Sequence, residues 1–255
     1  MWVAGPAPRA PVGGRPKALR LGFTLSRGMK VGLYGGSFNP VHDGHLHVAE
    51  TAKRRLGLDR VIWLVSPQNP LKGRHETASL EDRIAGVRAL VHSRGMIVSA
   101  AETQLGSVYT VDTIRALKAR FPGVKFVWIM GADSLASFHR WKGWVEIMRE
   151  TPVAVVSRPW ISLKSRFSPA ARRFAHARRP SQATKHLART TPPAWVFLFG
   201  RFNFQSSTAL RAPPAAPRTL TRSRRPTVLR QRLTGTLVCD MGCLARTPKE
   251  PPAER

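Results

Sequence analysis

Residues 30–50, K-V-G-L-Y-G-G-S-F-N-P-V-H-D-G-H-L-H-V-A-E, admit few arrangements of the backbone. Val31, Leu33 and Tyr34 form the short apolar run that a buried strand presents. Gly35 and Gly36 punctuate it, and Asn39-Pro40 marks a turn. From Asp43 onward, Leu46, Ala49 and Ala52 recur at helical spacing, so the stretch reads as strand, glycine turn, helix. Such a turn suits an anion. Glycines let backbone N–H groups approach closely, and the unpaired N–H groups of the helix start point the same way. His42 and His45 flank Gly44 at the helix entrance. At that spacing both imidazoles can face one phosphate, and each can donate a hydrogen bond to it.

An H-x-G-H on its own also describes a βα turn with two surface histidines. The full run G-G-S-F-N-P-V-H-D-G-H is far more specific. It resembles the signature of the HxGH nucleotidyltransferases, in the form carried by the nicotinate-nucleotide adenylyltransferase family. The resemblance implies that His42 and His45 are catalytic, and that Gly35, Gly36, Ser37, Phe38 and Gly44 contact ATP.

Composition brackets this reading. A hydrophobic fraction of 42% is that of a globular protein. No apolar run approaches the roughly 18 residues that span a bilayer, so no membrane partner is expected. The only cysteines, Cys239 and Cys243, provide neither a disulfide framework nor the ligand set of a zinc site. They fit a reducing compartment, and a cytoplasmic location is expected. The net charge of +28 is uneven: residues 1–28 contribute +5, residues 29–160 +7, and residues 161–255 +16. The basic excess at the end is scattered among Pro, Ala, Ser and Thr, which suits a disordered tail better than a nucleic-acid reading surface.

Residues 1–28 are rich in Gly, Pro and Arg without any period, and read as a disordered extension ahead of a domain starting near Met29. Arg60 to Val65 reads as a second buried strand, leading into the loop S-P-Q-N-P-L-K that ends at Lys72. The family has a P-x-x-x-P-x-K loop here, so Lys72 is a candidate phosphate contact as well as an ordinary surface lysine. Ser79 to Val91 has helical spacing, and Met96 to Val98 is a third strand. Ser107-Val-Tyr-Thr-Val-Asp-Thr113 then opens a helix running to about Arg120, with Thr110 as its expected cap. It resembles the family's S-Y-T-x-x-T segment, with Val108 intervening, which implies that Tyr109 and Thr110 hold the nicotinate end.

Val124 to Met130 is a fourth buried strand, followed by Gly131-Ala-Asp133. Asp133 reads as a helix cap or as a cleft residue; similarity to the family's G-x-D-x-L element implies the cleft, with Gly131 and Asp133 near ATP. Phe138-His-Arg-Trp141 is similar to the family's F-x-x-W, which implies that Trp141 stacks on the pyridine ring, while Trp144 is expected in the core. A fifth strand over Thr151 to Val156 is closed by Ser157-Arg158-Pro159, and the resemblance puts Arg158 near substrate phosphate. Residues 161–192 read as an insertion or mobile loop with at most one short helix around Pro169 to Ala177. Ala194 to Phe199 is a sixth strand. Gln205-Ser-Ser-Thr-Ala-Leu-Arg211 resembles the family's I-S-S-T-x-I-R, in which Ser206, Ser207, Thr208 and Arg211 clamp the triphosphate. Past Arg211 the prolines of 212–217 end any helix, and residues 212–255 read as a divergent, disordered tail.

The expected fold is α/β: a Rossmann-like, mostly parallel sheet flanked by helices over residues 29–211, the nucleotidyltransferase fold, with disordered basic extensions at both ends. The resemblance implies adenylyl transfer from ATP to nicotinate mononucleotide. Mg²⁺ would travel with ATP, no metal would be bound by side chains, and the protein would be a monomer or homodimer. The other readings are a different HxGH transferase such as a pantetheine-phosphate adenylyltransferase or cytidylyltransferase, a catalytically impaired relative, and a basic nucleic-acid-binding protein.

Overall fold

The computed structural model describes residues 21–67, 78–105, 107–157 and 165–199. Six strands carry the fold: β1 (Lys30–Gly36), β2 (Arg60–Val65), β3 (Met96–Ser99), β4 (Lys125–Gly131), β5 (Val153–Val156) and β6 (Trp195–Leu198). All five pairings are parallel, in the order β3-β2-β1-β4-β5-β6. Neighbours β1 and β4 are the two strands from which the chain winds outward in opposite directions. In a doubly wound sheet the crevice beyond the carboxyl ends of that central pair is the ligand site. Here it lies beyond Gly36 and Gly131.

Six α-helices are labelled: α1 (Asp43–Leu56), α2 (Leu80–Leu90), α3 (Ala101–Leu105), α4 (Thr110–Arg120), α5 (Ala132–Ser137) and α6 (Trp144–Glu150). Alternation along the strands sorts the core into two layers. Val31, Leu33, Trp128, Met130, Val153 and Val155 face Ile114 and Leu117 of α4, Leu135 of α5 and Ile147 of α6. Tyr34, Val61, Trp63, Val127 and Ile129 face Val48, Ala49 and Ala52 of α1 and Val87 of α2. Trp63 and Trp128 are fully buried, one on each side. A two-sided parallel sheet needs such near-continuous apolar runs, which is why its strands were readable.

Three expectations are corrected by packing. Leu21, Phe23 and Leu25 pack against the core, and Phe23 stacks on Phe121 at 6.1 Å, so the ordered fold begins ahead of Met29. Within 161–192, the stretch 165–189 is no loose loop. It forms a short helix (Pro169–Arg173) and 3₁₀ turns (Ala175–Ala177, Ser181–Arg189), with Leu187 and Ala188 buried against the sheet. Thr110 is not a cap but the first helical residue of α4; Ser107 Oγ instead accepts the Tyr109 N–H at 3.2 Å and donates to Asp112 at 2.6 Å. Trp144 is edge-on to Phe138 and Phe174 against the core, as expected. The expected tail, residues 212–255, lies outside the described residues.

Candidate active site

Strand β1 ends in Gly35-Gly36, and both glycines are needed for contact. A Cβ on Gly35 would stand 2.4 Å from Trp128 Cη2, and one on Gly36 would stand 3.0 Å from the Phe38 ring. Phe38 has φ +46°, in the left-handed region, and its ring is 2% exposed. The ring packs edge-on against Tyr34 at 5.3 Å and His45 at 5.2 Å, and lies 5.1 Å from Trp63. Of the residues expected at ATP, Phe38 therefore has only its main chain to offer a ligand.

The two signature histidines cap α1 reciprocally. His42 Nδ1 accepts the Gly44 N–H at 3.0 Å, and His45 Nδ1 accepts the His42 N–H at 3.3 Å. This is a capping box built from imidazoles in place of hydroxyl and carboxylate. An Nδ1 that accepts has no proton, so in the neutral ring the proton sits on Nε2. The backbone thus sets both tautomers and makes each Nε2–H the ring's donor. The rings lie 3.9 Å apart at the positive end of α1, where an anion is favoured.

Across the central strand pair, Gly131 is the N-cap of α5 and makes no side-chain cap bond. Asp133 stands in the first turn of α5, two positions beyond the N-cap Gly131, too far along to cap it. Trp141 is half-buried, edge-on to Phe138 at 5.3 Å and to Trp128 at 6.3 Å. Trp128 is thus in contact range of both Gly35 and Trp141, linking the phosphate turn to the expected ring site. Tyr109 is covered by Lys142, whose Nζ lies 4.1 Å from the ring centre. Lys72, Arg158, Ser206, Ser207, Thr208 and Arg211 lie outside the described residues.

Two buried charged groups escaped the sequence reading. Arg83 of α2 is 4% exposed and donates to four main-chain carbonyls: Ala78 at 3.1 Å, Ser37 at 2.8 Å, Ser66 at 2.7 Å and Pro67 at 3.0 Å. Burial lowers its pKa from the usual guanidinium value, and Glu81 opposes the shift. A signal existed: position 83 falls on the Leu80, Ile84, Val87 stripe, where a charged residue needs a partner. Glu102 of α3 is also 4% exposed. Burial pushes its carboxyl up to about 7, opposed by hydrogen bonds from Ser66 and Thr113. Thr113 Oγ1 is 3.3 Å from Glu102 Oε1 and 3.5 Å from the Tyr109 carbonyl, which ties Glu102 to the start of α4. Nothing in the local sequence marks Glu102.

Comparison with known proteins gives this geometry its context. Residues 33–212 match the cytidylyltransferase-like family. A Caulobacter sp. (strain K31) protein, described as a probable nicotinate-nucleotide adenylyltransferase, is 71% identical over 183 residues, covering 72% of this chain and 97% of the relative. An Agrobacterium fabrum protein of the same description is 51% identical, covering 72% and 98% respectively. Among solved structures, the Plasmodium falciparum nicotinic acid mononucleotide adenylyltransferase complexed with NaAD superposes with a TM-score of 0.53 at 13% identity, over 71% of this chain and 82% of that one. At that identity the likeness is one of fold.

Proposed function

The chain belongs to the nicotinate-nucleotide adenylyltransferase family, within the cytidylyltransferase-like proteins, and we propose that it transfers the adenylyl group of ATP to nicotinate mononucleotide, giving nicotinate adenine dinucleotide and pyrophosphate, a step of NAD biosynthesis. The observation that supports this reading is the reciprocal His42–His45 cap at the N-terminus of α1, which leaves Nε2 as the proton-bearing nitrogen of each neutral ring.

In the reaction a 5′-phosphate oxygen of the mononucleotide attacks the α-phosphorus of ATP in line. The bond from that phosphorus to the oxygen bridging to the β-phosphorus breaks, and pyrophosphate leaves. The attacking phosphate is already anionic near neutral pH, so the protein needs neither a nucleophile nor a strong base. Its work is positioning and charge stabilisation. His42 and His45 donate to the α- and β-phosphate oxygens as charge develops there. The main chain of Gly35, Gly36, Ser37, Phe38 and Gly44 lines the turn; Gly131 and Asp133 border the nucleotide from the junction of β4 and α5. Tyr109, Thr110 and Trp141 take the pyridine end, with Lys72 and Arg158 at its phosphate. Ser206, Ser207, Thr208 and Arg211 grip the β- and γ-phosphates.

Among the described residues no group of three or more His, Cys, Asp or Glu is placed to hold a metal ion. Mg²⁺ would instead enter with ATP, held by phosphate oxygens and water. Bound there, the ion would supply neutralisation of charge on the departing pyrophosphate.

The test is pyrophosphate release from ATP and Mg²⁺ with nicotinate mononucleotide, its amide or phosphopantetheine as acceptor, on the full chain and on His45→Ala. Release with nicotinate mononucleotide and its loss in the variant are expected. Release with phosphopantetheine alone would move the chain to another transferase of the same fold.

A further inference from the structure

We propose that Arg83 is a positioning residue for the phosphate-binding turn, holding the β1–α1 loop against the loop that follows β2 without touching substrate. This rests on the adenylyl-transfer reading of the site.

The guanidinium uses Nε, Nη1 and Nη2 on four carbonyls drawn from three separate segments. Ala78 precedes its own helix. Ser37 lies between the glycines and Phe38, and Ser66 and Pro67 open the loop in which the sequence places Lys72. Every one of these acceptors is a neutral main-chain oxygen, so the cation is hydrogen-bonded by converging carbonyl dipoles, and Glu81 adds only a through-space attraction. A planar fork can meet oxygens from several directions at fixed angles; a lysine ammonium, with three donors on one atom, cannot span them.

The bond to Ser37 has a directional consequence. In a trans peptide the C=O and the next N–H point in opposite directions. With the Ser37 oxygen turned onto Arg83, the Phe38 N–H is turned away from it. The same residue is held from the other end, because its ring is locked among Tyr34, Trp63 and His45. Phe38 keeps its left-handed backbone only while both anchors persist. The ring contact passes the constraint to His45, and through the reciprocal cap to His42. On the other side, the Ser66 N–H donates to the Gly36 carbonyl at 3.0 Å, so Arg83 also braces the last rung between β1 and β2.

Amide hydrogen exchange and steady-state turnover on the full chain, wild type against Arg83→Lys and Arg83→Gln, test this. Amides of residues 35–46 are expected to exchange at least tenfold faster in both variants, while those of β4 keep wild-type rates. The kcat for pyrophosphate release is expected to fall on the order of 10–100-fold, in line with losing transition-state alignment. Acceleration spread evenly over all strands, or unchanged exchange in the 35–46 segment, would overturn the proposal, as would wild-type kcat despite a loosened loop. If wild-type protein releases no pyrophosphate, the adenylyl-transfer reading fails separately, and the exchange pattern alone decides whether Arg83 organises the turn.

Discussion

The indole of Trp128 occupies the space a side chain on Gly35 would need: a Cβ there would lie 2.4 Å from Cη2. Trp128 is 1% exposed and also meets Trp141, so it cannot swing aside freely. Gly35 is thus kept as glycine by a neighbour across the sheet, not by its own torsion angles.

It follows that Gly35→Ala destabilises the fold by about 1–3 kcal/mol, the usual cost of overpacking a filled core. In a Trp128→Leu background the same change costs less, since the clashing atoms are gone. Urea unfolding of the four proteins in this cycle gives the coupling directly. Additive losses would show that the two residues do not compete for space.

In the proposed reaction His42 has two separable tasks, the observed helix cap and a donor to phosphate. Asparagine places an acceptor oxygen near the position of Nδ1 but no N–H at the position of Nε2. His42→Asn should therefore keep most of the cap while lowering kcat by on the order of 10²–10³, the loss seen for one transition-state donor. His42→Ala should lose both, with a further drop of about 1 kcal/mol in stability from the missing cap. Thermal unfolding beside turnover distinguishes the two variants.

Glu102 makes stability depend on pH in an unusual direction. Its folded-state pKa of about 7 lies above the ordinary glutamate value of 4.5, so between these values the folded protein binds more protons than the unfolded chain. Its contribution is intact below pH 4.5 and is lost as pH rises through 7. At one pKa unit per 1.4 kcal/mol, the full loss is about 3 kcal/mol. Glu102→Gln should flatten the dependence of Tm on pH from 5 to 8 and raise Tm at pH 8, as a thermal scan across that range would record.

Trp141 should act on one substrate only. Base–aromatic stacking is worth about 1–3 kcal/mol, so Trp141→Ala is expected to raise KM for nicotinate mononucleotide roughly 5–150-fold. KM for ATP should stay within about twofold, and Trp141→Phe should lie between. Equal rises for both substrates would mean that the indole supports the fold through Phe138 and Trp128 rather than holding a ring.

The six strands, the glycine turn and the histidine pair were legible in the sequence because their causes are local, whereas the strand order was not. Apolar runs, punctuating glycines and capping side chains act over a few neighbouring residues, and their spacing survives in the linear text. Trp141 was singled out through the resemblance rather than its period, and the two KM values decide its role.

Other features were decided only when distant segments met. Arg83 bonds to carbonyls 46, 17 and 16 residues away; every residue carries a carbonyl, so nothing in the text says which four will converge. The raised pKa of Glu102 comes from burial, which belongs to the assembled fold and not to residue 102. Phe23 on Phe121, and Leu187 under the sheet, likewise depend on where the core leaves apolar surface uncovered. The sequence by itself determined the glycine turn and the paired histidines at the start of α1. Tertiary packing decided how rigidly these are held, because a buried charge finds its partners only after the chain has closed around it.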